Sequence, residues 1–196
     1  GYETLTANTT GTENVAVGAA ALDANTTGVE NVAVGYAALS NATTASYNTA
    51  VGRSALLVNT SGASNTALGR EALKLNTTGT ENTAVGYLAG TALTTGVDNV
   101  LIGGRAGDAL TDADYNVAVG RGALTGDTKG SKSVAVGYQT LVNQNFTSAT
   151  DTYNVAVGHL AGYQATTGTN NSRIGGLAGE ANTTGERNTA LGAQAL

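Results

Sequence analysis

The chain has no cysteine, methionine, proline or tryptophan, and only one phenylalanine (Phe146) and one histidine (His159) among 196 residues. Without cysteine there are no disulfides, no thiol nucleophile and no zinc-thiolate site, and the compartment is left open. The single histidine has no Gly-x-Ser-x-Gly nucleophile elbow to work with. The carboxylates Asp112, Asp114, Asp127 and Asp151 are scattered, with none paired at a repeated position, so paired acid–base chemistry has no support. A net charge of −5 argues against nucleic-acid binding, which needs a basic face. No apolar run of about 18 residues is present to span a membrane. No signal peptide is visible, and the missing initiator methionine reads as a processed or excised segment. No repeated or clustered catalytic set remains, so the expectation is a non-enzyme without cofactor or metal.

Glycine is abundant, at 28 residues, and it is periodic. It recurs every 17 residues at Gly18, Gly35, Gly52, Gly69, Gly86, Gly103, Gly120 and Gly137, then at Gly158, Gly175 and Gly192 after a four-residue insertion. Four residues before each stands Asn14, Asn31, Asn48, Asn65, Asn82, Asn99, Asn116, Asn154, Asn171 or Asn188, with Ser133 the one exception. Each Asn-x-Ala-Val-Gly-x-x-Ala-Leu unit is too short to bury its own apolar face and must stack on its neighbours. Seventeen residues is short for helical repeats, which run to roughly 33 or more. It suits one coil of a parallel β-solenoid, read here as two short strands and two turns. The small, often β-branched residues favour a pleated surface. The Asn-Thr-Thr-Gly stretches (Asn8 to Gly11, Asn25 to Gly28, Asn76 to Gly79, Asn182 to Gly185) are turn chemistry. The reading is an all-β β-roll of about eleven coils, one domain over residues 1–196 with no internal boundary. Both ends fall in mid-unit without an evident cap, which reads as a segment of a longer fibre.

Two rows take structural roles. The asparagines are expected to form a ladder, each amide bonding the next coil about 4.8 Å away. The glycines mark a turn with positive φ or a tight backbone approach. Facing is read from the exceptions. The second position after the anchor is alanine except at Leu101 and Arg173, and an unpaired arginine inside a narrow coil is costly. That position is therefore expected to face outward or toward another chain. Alternation then turns the Val17, Val34, Val51, Leu68, Val85, Ile102, Val119, Val136, Val157, Ile174, Leu191 row inward.

The row after the motif glycine, with Tyr36, Arg53, Arg70, Tyr87, Arg121, Tyr138 and His159, is expected to line one edge of the rod. Aromatic and guanidinium groups in a stripe can stack on sugars or pack against a neighbouring chain. His159 reads as a surface member of that row. The threonine row (Thr9, Thr26, Thr43, Thr60, Thr77, Thr94, Thr111, Thr128, Thr166, Thr183, broken at Ala149) reads as turn sequence, because two same-face ranks suited to ice are not obvious. The insertion from Val142 to Asp151 reads as a bulged loop with Phe146 folded onto the rod, or else a binding knob. Gly103 to Asp108 is only a faint match to a calcium β-roll.

The Asn-Thr-Ala-Val-Gly-Tyr-x-Ala-Leu units joined by Asn-Thr-Thr-Gly resemble the repeats of bacteriophage tail-fibre proteins. Asn82 to Tyr87 is also similar to the head repeat of trimeric autotransporter adhesins. The resemblance covers nearly the whole chain. It implies a left-handed parallel β-roll, three chains side by side, extracellular, on a cell surface or on a virion. The expected function is a structural and adhesive fibre, a homotrimer with receptor or glycan contacts along its edges and no membrane insertion. A monomeric solenoid binding ice or glycans is the alternative, and a filament of coils stacked end to end is a third.

Overall fold

The computed structural model describes residues 1–196 and contains no helix. Eleven parallel three-residue strands, from Val15–Val17 to Thr189–Leu191, form one sheet in chain order. They enclose about ten turns of solenoid. Register never slips: Ala16 lies opposite Ala33 at the first step and Arg173 opposite Ala190 at the last. Coils are numbered here from 1, at Asn14, to 11, at Asn188. Ten steps of about 4.8 Å make a sheet roughly 48 Å long.

Most coils carry one strand, where two were expected; only coils 7 and 8 add a second, the two-residue pair Gly130–Ser131 and Thr150–Asp151 beside the insertion. The return path is built of turns because left-handed residues interrupt any extended run. In coil 2 these are Ala37, Leu39 and Tyr47, with φ of 53°, 50° and 62°. A left-handed residue costs roughly 1–2 kcal/mol. Hydrogen bonds to the flanking coils hold these in place: Ala37 N donates back to Ala19 O, Leu39 N forward to Ala55 O, and Tyr47 N back to Val29 O. The alternation lets successive amides serve opposite neighbours, so the backbone is satisfied without a second sheet along most of the rod. The glycine after each strand is obligatory. Gly86 has φ of 137°, and a Cβ there would lie 2.7 Å from the Gly103 carbonyl.

The facing expectation is reversed. The strand-centre alanines Ala33, Ala50, Ala67, Ala84, Ala118, Ala135 and Ala156 are fully buried. So are Leu101 and, at 1 % exposure, Arg173. The valine row points outward, with Val17 at 57 % and Ile174 at 43 %. The coil is narrow, and a methyl group is all its strand centre ordinarily admits. Opposite lie the alanine row of Ala21, Ala38 and Ala55 and the leucine row of Leu22, Leu39, Leu56, Leu73, Leu124 and Leu141, all fully buried. Where the strand centre is large, the leucine is replaced by glycine in that coil and the one before. Gly90 and Gly107 flank Leu101, and Gly162 and Gly179 flank Arg173. A Cβ on Gly107 would come within 2.8 Å of Leu101, and one on Gly179 within 2.7 Å of the Arg173 Cδ.

The anchor asparagines form an amide ladder from Asn14 to Asn116 and again from Asn154 to Asn188. In coil 4, Asn65 donates through both its backbone N and its Nδ2 to Asn48 Oδ1, at 3.0 and 3.1 Å. Its Nδ2 also donates to Gly79 O at 2.8 Å. These amides are buried yet paired, the condition under which burial of a polar group is tolerable.

Candidate binding surface

The sheet turns two ranks outward. One is the valine, leucine and isoleucine row already described. The other holds Val15, Val32, Thr49, Thr66, Thr83, Val100, Val117, Val134, Val155, Ser172 and Thr189. No side chain from elsewhere in the solenoid lies over this face, and its members are exposed or half-buried along its length.

The residue after each motif glycine flanks one edge of this face. Tyr36, Arg53, Arg70, Tyr87, Arg121, Tyr138 and His159 are all exposed there, in one line. They interact along the rod. Arg53 sits over the Tyr36 ring at 5.9 Å, Arg70 over Tyr87 at 5.6 Å and Arg121 over Tyr138 at 5.9 Å. His159 stacks on Tyr138 at 5.4 Å. Exposed cation–π contacts contribute about 0.5–1 kcal/mol each and hold the rings upright.

The residue before each anchor flanks the other edge, a row that sequence reasoning did not single out. It runs Glu13, Glu30, Tyr47, Ser64, Glu81, Asp98, Tyr115, Lys132, Tyr153, Asn170 and Arg187, acidic in its first half and basic at Lys132 and Arg187, with Tyr47, Tyr115 and Tyr153 each about half exposed. Its signal was available, because these tyrosines share one register. The apolar face thus lies between an arginine–tyrosine edge and a tyrosine-bearing edge that is acidic over coils 1 to 6. On the first edge, desolvation alone would raise the Glu71 carboxyl. Hydrogen bonds from Lys74 and Arg70 outweigh it and hold the group below its ordinary value. On the second, a 2.6 Å bond to Asp151, helped by Tyr153, raises the Lys132 ammonium above its ordinary value.

The arginine row has two gaps, at Gly104 and Gly176. At the first, the molecule's one cleft opens, about 520 Å³ in volume, lined by Tyr87, Gly104, Arg105, Arg121, Gly122, Thr125 and Gln139. The Gly103 to Asp108 stretch is the turn beneath it, and the Asp108 carboxylate accepts a hydrogen bond from the Thr125 hydroxyl.

The threonine row spends its hydroxyls along the rod. Thr26 Oγ1 donates to Thr43 O at 2.9 Å, and Thr94 Oγ1 to Thr111 O at 2.9 Å. The insertion mends the asparagine ladder where Ser133 interrupts it. Gln144 reaches inside, donating to Ser133 Oγ at 2.9 Å and Asp127 Oδ2 at 2.6 Å. Its Oε1 accepts from Asn154 Nδ2 at 2.9 Å. Asp127, fully buried, also accepts from the Gly130 and Phe146 amides. Phe146 is folded in, at 7 % exposure.

Comparison with protein-family models, curated proteins and solved structures found no match.

Proposed function

We propose that this chain is a stiff fibre segment that assembles as a homotrimer and carries attachment sites on its edges, in the manner of a phage tail fibre or a bacterial adhesin. The carrying observation is the outward sheet face, an apolar strip running the length of the solenoid. Soluble monomers rarely expose continuous apolar patches beyond a few hundred Å². A copy of the same chain is the natural cover, because its 17-residue spacing matches rank for rank. The edges add complementarity. Glu30 and Glu81 on one side suit Arg53 and Arg70 on the other, each one coil away, while Arg105 and Arg121 are left outside this pairing.

The test is native mass by light scattering after size exclusion, on the parent and on a Val85→Glu, Val119→Glu variant. Three chains for the parent, and one chain with an unchanged β spectrum for the variant, are expected. A single-chain parent overturns the trimer and turns the flat face toward ice or glycan binding. A mass that climbs with concentration overturns it in favour of end-to-end stacking.

A further inference from the structure

We infer that the cleft over Gly104 is a binding site for an acidic carbohydrate, a pyranose carrying a carboxylate. The inference rests on the attachment half of the function proposed above and not on its trimer half.

The glycine itself is the first observation. Gly104 does not have a positive φ, and a Cβ there would meet nothing closer than Tyr87 O at 3.9 Å. Neither backbone conformation nor crowding calls for glycine, unlike at the motif glycines. Its consequence is a missing side chain in a row otherwise filled by tyrosine, arginine and histidine from coil 2 to coil 9. Diagonally beside it, Gly122 omits a second side chain, and Gln139 Cγ lies 3.3 Å from where its Cβ would be. Two adjacent omissions make the opening.

Its lining has the chemistry of a sugar site. Arg105 and Arg121 are both exposed, and neither takes part in any of the molecule's four ion pairs. Arg121 is steadied by the Tyr138 ring and by donating to the Tyr138 hydroxyl at 3.3 Å. Its remaining N–H groups are free for a carboxylate, which a guanidinium fork grips in bidentate fashion. Tyr87 has Arg70 on the side of the preceding coil, and Gly104 stands on the side of the following one. That side offers an aromatic platform for the apolar face of a pyranose. The Gln139 amide and the Thr125 hydroxyl, which keeps its lone pairs while donating to Asp108, supply partners for sugar hydroxyls. A volume of about 520 Å³ falls within the range of small-molecule pockets.

Coil 10 provides an internal control. Gly176 leaves the same gap in the row, with nothing closer to a Cβ there than His159 O at 3.9 Å. There His159 stands in the place of Tyr87, Leu177 in that of Arg105, Ala193 in that of Arg121 and Gln194 in that of Gly122, and no cleft forms. The gap alone does not make a site; the flanking guanidiniums and the second glycine do.

The experiment is calorimetric titration of the intact chain with N-acetylneuraminic acid, a galacturonic acid oligomer, neutral galactose and sodium acetate. It is repeated on Gly104→Tyr and on the Arg105→Gln, Arg121→Gln double variant. Tyrosine occupies this register in coils 2, 5 and 8, so Gly104→Tyr folds and fills the cleft. The expected result is saturable binding of at least one acidic sugar, with galactose and acetate each about tenfold or more weaker. Gly104→Tyr abolishes it at unchanged mass and melting temperature, and the double arginine variant loses the preference for acid over neutral sugar. No saturable binding by the parent, equal binding of galactose or acetate, or undiminished binding by Gly104→Tyr overturns the site. None of these outcomes bears on the trimer, which is read from mass.

Discussion

Leu101 and Arg173 occupy the same position, the strand centre, four coils apart, and both are closed off from solvent. Each displaces an alanine, and each is flanked by two glycines where other coils place leucine. The exchange conserves volume in both, since a long side chain from one wall replaces long side chains from the other. Chemically the two differ. Leu101 lies with Leu73, Leu110 and the alanine rows in one apolar cluster. Arg173 carries its Nε, Nη1 and Nη2 into the same kind of space without a hydrogen-bond partner. Desolvation lowers its pKa. Steric fit and polar satisfaction are separate requirements, and coil 10 meets only the first.

The comparison can be broken most severely through its steric half. Gly107→Leu restores the common residue but collides with Leu101 and Leu110, and is expected to cost about 3 kcal/mol by overpacking. Leu101→Ala alone leaves a cavity and costs about 2–5 kcal/mol. Together with Gly90→Leu they recreate a regular pair of coils, and the combined variant should recover most of both losses. Urea unfolding arranged as a mutant cycle reads the coupling, and purely additive losses would falsify the volume exchange. The polar half is tested by Arg173→Leu, expected to stabilise by about 1–4 kcal/mol because a buried charge without partners is removed. A loss of stability would mean that the guanidinium gains more inside than desolvation takes. The smallest effect is a pH dependence. A base whose folded pKa is lowered binds its proton less tightly when folded, so the sign of the linkage is toward greater stability at higher pH. The parent's deficit against Arg173→Leu should narrow toward alkaline pH and never widen, as read from paired unfolding curves.

The period, the parallel solenoid and the asparagine row were legible because every coil makes the same backbone demand. Facing was not, because Arg173 was weighed by its charge alone, which made an interior place look prohibitive. The correction was also in the sequence. Gly90 with Gly107 and Gly162 with Gly179 replace leucine only beside the two exceptions, a coincidence that only an inward strand centre explains. The repair by Gln144 was hidden because the insertion shifts it out of register. Of the candidate site, the arginine–tyrosine edge was legible as a row. Its cleft was not, since an opening is made by side chains that are missing from two different rows.

The amide ladder and the strand pairing both join residues 17 apart, and 17 residues is about 0.09 of this chain's length. That is the relative contact order of a helical bundle, whereas β-sandwiches and barrels run to about 0.16–0.22. Although it is all sheet and turn, this chain needs no distant segments to meet before its contacts become favourable. Once two neighbouring coils have closed, each further coil adds by growth at an edge. With no proline, no slow peptide isomerisation delays that growth. The one expected pause is at the insertion, where Ser133 must wait for Gln144 and Thr152 before the next coil finds its place.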